Sequence, residues 1–289
     1  MSEARQTSEL PALVDADVSR QIRIAAVTEM ADFERCVDLQ LAVWGYSDGD
    51  LIPKRVFIVA DRIGGQVIGA FDRDRMVGFA MALPGYRDGK AYLHSHMLAV
   101  LPEYRNAGLG RRLKLAQRDD ALARGFDLME WTFDPLEIKN AYLNIVRLGA
   151  VARRYMRDFY GPSTSPLQGG LPTDRLVAEW WLRSDRVRHT LGELVEESAE
   201  DAAKCAPNMV QVQVLRSVSD WKRNPDQRKL AESLQTSNRL ALESAFAQGL
   251  AVMGYERKAD GDGCFILGPV SGLQVTERSC GKTEQTNIS

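Results

Sequence analysis

The segment YLHSHMLAVLPEYRNAGLGRR, from Tyr92 to Arg112, is the most informative part of the sequence. Its first half alternates as a strand does, so that every second residue faces the same way. Pro102 ends the strand, and a glycine turn leads into a helix that begins near Leu109. A strand that runs through a glycine turn into a helix offers backbone N–H groups and the positive end of the helix dipole to an anion. The residues on one strand face are His94, His96, Leu98 and Val100.

Composition limits the possible functions. The chain has 289 residues, a net charge of −2 and a pI near 6.0, so nothing global favours binding to nucleic acid or to an anionic membrane. Four scattered cysteines lack metal-ligand spacing and are expected to be reduced thiols in a cytoplasmic protein. The N-terminal segment lacks the apolar core of a signal peptide, and no run approaches the ~20 apolar residues of a membrane-spanning helix.

Hydrophobic periodicity predicts four parts of the chain. Residues 1–20 are expected to be a mobile tail, 21–183 a single α/β domain, 184–270 a small αβ appendage, and 271–289 a loose tail. Within 21–183 the predicted order is strand, two helices, an antiparallel hairpin, the strand and helix of the opening segment, then strand, helix and two strands. The appendage is predicted to be strand, long helix and hairpin.

The glycine turn has the form Arg-x-x-Gly-x-Gly, from Arg105 to Gly110. It lacks both the Gly-x-Gly-x-x-Gly spacing of dinucleotide sites and the Gly-Lys-Ser/Thr ending of triphosphate sites, so those ligands are disfavoured. A turn that merely connects strand and helix is the alternative reading.

The run LAVLPEYRNAGLG, from Leu98 to Gly110, resembles the acetyl-CoA-binding signature of the GNAT acyltransferases. The predicted element order over Ile22 to Leu182 resembles that family too. The resemblance implies an α/β (α+β) fold with a mixed, splayed central sheet flanked by helices. It also implies acetyl-CoA or another acyl-CoA as co-substrate, a small-molecule amine as acyl acceptor, and no metal.

Carried over by position, the resemblance assigns the CoA contacts. The edge of the strand at Leu98 and Val100 would pair with the pantetheine arm and polarise the thioester carbonyl, in a gap between this strand and the next at Leu128 to Phe133. Asn140 and Asn144 on a later helix would contact CoA, unless they belong to a polar helix surface. The pyrophosphate would be held by the backbone of Arg105, Asn106, Ala107, Gly108, Leu109 and Gly110, with Arg111 or Arg112 near the phosphates.

The pair His94 and His96 suggests a base. Acyl transfer to an amine requires loss of a proton from nitrogen, and imidazole titrates in a suitable range. The pair also resembles a His-x-His strand of arylalkylamine N-acetyltransferases, where it assists deprotonation; Glu130 on the next strand is the alternative base. Metal ligation is disfavoured, since the chain has three histidines and no cysteine or carboxylate cluster beside the pair. A purely structural role is the other alternative.

The chain departs from the family pattern at Ile145, where relatives often carry a tyrosine that protonates the leaving thiolate. Tyr142, about one helical turn earlier, is the predicted substitute. Tyr155 and Tyr160 are further candidates, or the thiolate leaves without an acid.

Two residues are predicted to contact the acceptor. Trp44 lies in the early helix–loop–helix that shapes the acceptor site in this family, and the alternative is that it belongs to the hydrophobic core. Arg154, which lies between two other arginines of one segment, either belongs to a solvated basic patch or binds a substrate carboxylate in bidentate geometry.

The sequence therefore predicts an acyl-CoA-dependent N-acyltransferase in which a primary amine attacks the thioester directly. The amine would belong to a small molecule, with an amino acid as one option. One alternative is a succinyl- or other acyl-CoA:amino acid N-acyltransferase, which Arg154 would serve. The other is a non-catalytic CoA-binding module, which the change at Ile145 would suit. The appendage is expected to close the acceptor pocket, extend the sheet or build a homodimer.

Overall fold

The computed structural model describes residues 22–46, 50–163, 165–194 and 209–273. The predicted N-terminal tail and nearly all of the predicted C-terminal tail lie outside these residues. The described strands form one ten-stranded sheet in the order β1-β2-β3-β4-β5-β7-β6-β9-β10-β8. Their bounds are β1 Arg23–Ala26, β2 Gln66–Asp72, β3 Arg75–Arg87, β4 Lys90–Val100, β5 Leu128–Phe133, β6 Val151–Met156, β7 Arg175–Trp181, β8 Val210–Val214, β9 Ala251–Arg257 and β10 Gly263–Gly268.

Seven α-helices occur in the described residues. The fourth continues directly into a π-helical turn, Leu143–Arg147. The helices are α1 Met30–Trp44, α2 Lys54–Arg62, α3 Leu109–Ala123, α4 Ile138–Tyr142, α5 Asp185–Leu191, α6 Val218–Arg223 and α7 Arg228–Ala247.

The sheet is mixed, as predicted. Among the described strands β4 and β5 are parallel, and every other neighbouring pair is antiparallel. The appendage extends this sheet: β9 pairs with β6 at Ala152 and Val252, and β10 and β8 follow. Sheet extension, one of the three predicted roles of the appendage, is therefore observed.

The order of elements agrees with the prediction, whereas several details do not. A threonine just before the first apolar turn predicts that Thr28 caps α1, but the helix begins after Glu29 without a side-chain cap. Helical spacing predicts that Met30 and Leu41 belong to the buried stripe of α1, but they are 59% and 48% exposed. The short helix α6 was not predicted; it follows β8 closely and has too few residues for a periodic pattern.

Two hydrophobic clusters support the sheet. One joins β1 to β4 with α1, α2 and the start of α3, and the other joins the remaining strands with α4 to α7. None of the helices in the described ranges is long and apolar enough to cross a membrane.

Candidate active site

The strands β4 and β5 separate part way along their length. They pair only through Leu93 with Met129 and His94 with Glu130. Beyond this point β4 continues along β3 to Val100, and β5 continues along β7 to Phe133. The result is a wedge that opens toward the carboxyl ends of both strands, between 95–100 of β4 and 131–133 of β5; we call it the fork.

A β-bulge in β4 lies at the apex of the fork. Met97 pairs with Met81 and Ser95 with Ala82, so His96 is an extra residue in β4. A bulge bends its strand and increases local twist. Its position explains why β4 turns away from β5 immediately after His94.

The two histidines lie on the same face of β4, as the alternation predicted. The prediction was wrong for Leu98 and Val100: Leu98 is opposite Ala80 of β3 whereas His94 is opposite Leu83, so the bulge puts Leu98 and Val100 on the other face. Both histidines are half-buried, and their ring centroids are 6.1 Å apart. Burial, followed by the neighbouring His96, lowers the pKa of His94 to about 4, and burial lowers the pKa of His96. The expectation that His94 titrates near neutral pH is therefore not met: its imidazole is uncharged throughout the physiological range.

Glu130 is ion-paired beside His94. Its carboxylate accepts hydrogen bonds of 3.0 and 2.6 Å from Arg87 and one of 2.5 Å from Arg154. Burial raises the pKa of Glu130, but the hydrogen bonds from the two guanidinium groups outweigh it and the pKa is lowered. A carboxylate paired with two guanidinium groups accepts a proton less readily than an unpaired one. The contacts therefore do not favour Glu130 as the alternative base.

Arg154 is also engaged within the protein. Its Nε lies 3.4 Å from one carboxylate oxygen of Glu179, and Arg153 contacts the other oxygen of the same carboxylate. The chain of ion pairs thus runs from Arg87 through Glu130, Arg154 and Glu179 to Arg153. The guanidinium predicted to bind a substrate carboxylate already has two carboxylate partners.

Lys114 lies beneath the apex, on the opposite face of the sheet. Its Nζ donates a 2.9 Å hydrogen bond to Ser95 Oγ of β4, lies 3.7 Å from Met129 Sδ of β5, and sits 3.5 Å from the ring centroid of Trp131. The side chain is buried, which lowers its pKa well below the usual lysine value. Lys114 therefore links the two strands where they diverge. The sequence did not reveal this residue, because its contacts with Ser95, Met129 and Trp131 join residues that are distant in the sequence.

The glycine turn is exposed at the outer end of β4. The first intrahelical bond of α3 is from Arg112 N to Gly108 O, at 3.1 Å. Helix geometry therefore leaves the N–H groups of Leu109, Gly110 and Arg111 without intrahelical acceptors. Gly108 has φ +78°, and a Cβ placed there would have no atom within 4 Å. The backbone is thus open to close approach by a ligand.

The helix α4 approaches the same region. Arg111 Nε donates a 3.2 Å hydrogen bond to the carbonyl of Arg147, which joins the start of α3 to the end of the π-helical turn. Of the two asparagines predicted to contact CoA, Asn144 is buried and Asn140 is exposed. Ile145 is 1% exposed and belongs to the core.

Tyr142 packs against the appendage. The guanidinium of Arg257 on β9 is 5.5 Å from its ring centroid, and β9 is three strands away from β5 in the sheet. The structure thus places this predicted acid toward the appendage.

A different tyrosine reaches the fork. The hydroxyl of Tyr160 lies 2.8 Å from Thr132 Oγ1 of β5, two residues beyond Glu130 on the same strand face. Tyr160 belongs to the β6–β7 loop, residues 157–174. Sequence reasoning named it only as one of several tyrosines, since the pairing with Thr132 depends on a loop conformation.

Trp44 closes one side of this face. Its ring stacks on Tyr46 at 5.5 Å and meets Phe79 edge-on at 6.5 Å, and its carbonyl accepts a 3.1 Å hydrogen bond from Ser165 Oγ of the β6–β7 loop.

Across the residues with described positions, no group of three or more His, Cys, Asp or Glu residues has the arrangement of a metal site.

One family model matches the central part of the chain. The model of the acetyltransferase (GNAT) family matches residues 33–140. A comparison with curated protein sequences gave no match.

One solved structure to which the chain is similar is the ribosomal-protein-S18-alanine N-acetyltransferase of Escherichia coli, with 18% sequence identity and a TM-score of 0.44. The matched region covers 55% of this chain and 92% of the Escherichia coli chain. The yncA protein of Salmonella typhimurium, solved with its cofactor acetyl-CoA, is 16% identical with a TM-score of 0.46 and covers 56% and 94%.

The lowered pKa of His94 makes stability depend on pH. With a folded value of about 4 and an ordinary value of 6.5, the unfolded chain binds more protons between these limits. The free energy of unfolding should therefore fall as pH decreases from 6.5 to 4, by on the order of 1–3 kcal/mol from this residue. Urea titrations across this range should show a smaller decrease for His94→Gln than for the wild type. An unchanged pH dependence in the variant would contradict the assignment.

Proposed function

We propose that this chain, whose residues 33–140 match the acetyltransferase (GNAT) family model, transfers an acyl group from acyl-CoA, acetyl-CoA in the first instance, to the primary amine of a small molecule. One observation carries the proposal: a single strand, β4, has two uncharged imidazoles at the apex of the fork and an open glycine turn at its outer end. A ligand with a pyrophosphate at one end and a reactive group at the other fits this arrangement.

The residues of the turn suit CoA. The N–H groups of Leu109, Gly110 and Arg111 would bind the pyrophosphate, and the half-exposed Arg111 supplies positive charge beside them. The edge of β4 that β5 leaves unpaired, at Leu98 and Val100, would bind the pantetheine arm. When bound, acyl-CoA supplies an activated carbonyl and a thiol leaving group.

His94 is the favoured base, with His96 supporting it. A base with a pKa of about 4 does not deprotonate a free alkylammonium efficiently, so the substrate would react as the free amine. The N–H groups of the amine become far more acidic as nitrogen attacks a carbonyl, and an uncharged, weakly basic imidazole can then accept the proton. The resting charge of His94 therefore suits proton transfer during the attack rather than before it.

Tyr160 is the proposed acid for the leaving thiolate. Its hydroxyl lies on the β5 wall of the fork through its contact with Thr132, whereas Tyr142 lies against Arg257. This assignment replaces the tyrosine that Ile145 removes from the family position.

The amino-acid and succinyl alternatives rest on Arg154. Because this guanidinium is paired with Glu130 and Glu179, the contacts do not favour a substrate carboxylate there. An acceptor that is a simple amine is consistent with these contacts.

Turnover tests the proposal directly. Purified protein incubated with acetyl-CoA and a panel of primary amines should release free thiol, as followed with a thiol reagent, and His94→Ala should lower kcat/KM by about 10²–10⁴-fold with unchanged acetyl-CoA affinity. Succinyl-CoA and amino acids in the same panel test the alternatives. Binding of CoA without thiol release by the wild type would favour a non-catalytic module, and full activity of His94→Ala would exclude this base.

The glycine turn offers a matched pair of substitutions. Gly108 and Gly125 lie at opposite ends of α3, both have positive φ, and a Cβ at either meets no atom within 4 Å. Leucine should cost both variants a similar 1–2 kcal/mol of stability. Calorimetric titration with CoA should show at least tenfold weaker binding only for Gly108→Leu. Equal affinities in the two variants would place the phosphates elsewhere.

The tyrosines can be distinguished in the same way. Tyr160→Phe should lower kcat at least fivefold and make kcat depend more steeply on thiol leaving-group pKa, measured with acyl thioesters of different thiols, because the thiolate must then leave without a proton donor. Tyr142→Phe should leave both unchanged. The reverse pattern would restore Tyr142 as the acid.

A further inference from the structure

The appendage contacts the β6–β7 loop on the side away from the fork. Within the described residues, α6 and α7 reach this loop at its last turn and at the residues just before β7. The loop positions involved are Gly169, Gly170, Pro172 and Asp174.

The contacts from α7 are partly buried. Arg239 Nε lies 2.9 Å from Asp174 Oδ2, and Asp174 is only 1% exposed. The same carboxylate accepts hydrogen bonds from the Tyr155 hydroxyl at 2.7 Å and from the backbone N–H of Asp158 at 2.9 Å. Asp174 therefore ties both ends of the loop to one guanidinium of the appendage.

A second contact from α7 holds the loop backbone. Gln235 Nε2 donates a 2.9 Å hydrogen bond to the carbonyl of Pro172, and Gln235 is 1% exposed. The same carbonyl also accepts hydrogen bonds of 2.9 Å from Gln168 Nε2 and from the backbone N–H of Asp174, so α7 is joined to a carbonyl around which the loop itself is folded.

The helix α6 is wedged between the loop and the end of β5. Lys222 Nζ lies 2.6 Å from Asp134 and 3.2 Å from Glu137, and its side chain is 3% exposed. A Cβ at Gly169 would lie 2.5 Å from the carbonyl oxygen of Lys222, so the two backbones are in close contact.

The opposite side of the loop faces the fork. Tyr160 meets Thr132 at 2.8 Å, and Ser165 meets the carbonyl of Trp44 at 3.1 Å. The loop is thus held between the appendage and the wall on which the proposed amine would lie. A shift of the appendage would be transmitted to Tyr160 and Trp44 through this loop.

Buried ion pairs add little net stability, because the cost of removing charges from water offsets their attraction. Their directional contacts nevertheless fix the relative position of the groups they join. Two buried or part-buried cations, Arg239 and Lys222, connect the appendage to the loop and to the turn after β5.

We propose that the appendage is a positioning element for the acyl acceptor: Arg239 and Gln235 hold the 157–174 loop in the conformation that presents Tyr160 and the Trp44 wall to the amine. This inference rests on the proposed function. It makes the C-terminal segment a determinant of acceptor specificity, in addition to its observed extension of the sheet.

The test compares Arg239→Met and Gln235→Leu with Asp262→Asn. Asp262 accepts bonds from Arg216 N at 2.8 Å and Gln213 Nε2 at 3.2 Å, within the appendage and away from the loop. Arg239→Met and Gln235→Leu, the two α7 variants that remove contacts with the loop, should each raise KM for the amine at least fivefold and leave acetyl-CoA affinity within twofold of the wild type. Arg239→Lys should recover part of the loss. The control should change neither constant by more than twofold.

Hydrogen exchange separates this inference from the proposed function. Amides of 157–174 should exchange at least tenfold faster in Arg239→Met and Gln235→Leu, and at the wild-type rate in Asp262→Asn, whether or not the protein turns over an amine. Unchanged exchange in both loop variants would overturn the positioning role. Faster exchange without any wild-type thiol release would retain it and refute the acyl transfer instead.

Discussion

The candidate site depends on the early end of hydrogen bonding between two parallel strands. Pairing of β4 with β5 stops at His94 and Glu130, and the extra residue His96 bends β4 away at that point. Each strand remains paired on its other side, so the fork is held open by β3 and β7 rather than by its own contents. Lys114 reinforces the apex from below through contacts with both strands.

The charges on the face of the sheet that carries the two histidines follow from this geometry. On the fork face, burial keeps His94 and His96 uncharged, while the carboxylate of Glu130 remains charged between two arginines. The two groups therefore have different roles. The uncharged imidazole can accept a proton, whereas the ion-paired carboxylate holds the strand end and the arginines in position. For the proposed reaction, these charges would suit a free amine better than its ammonium form.

Much of the framework could be predicted from the sequence. The alternation in Tyr92 to Val100 placed both histidines on one face, and Pro102 and Gly108 located the turn, because these signals are local. The partners of charged side chains could not be predicted in this way. The sequence left Arg154 either in a solvated basic patch or as a ligand for a substrate carboxylate, whereas its pairing with Glu130 and Glu179 depends on the register of β5, β6 and β7. Lys114 and Tyr160 were missed or undervalued for the same reason, since their contacts join residues 15 to 28 positions apart.

Nuclear magnetic resonance of the protein with a non-transferable acetyl-CoA analogue tests the central claim most directly. With ¹⁵N-labelled backbone and histidine side chains, the account predicts that titration shifts the amides of 97–100 and 105–111 together with the imidazole signals of His94 and His96. Such a result would show that one ligand spans the turn and the apex of the fork. Saturable binding that leaves the imidazole signals and the β4 amides unchanged would contradict it.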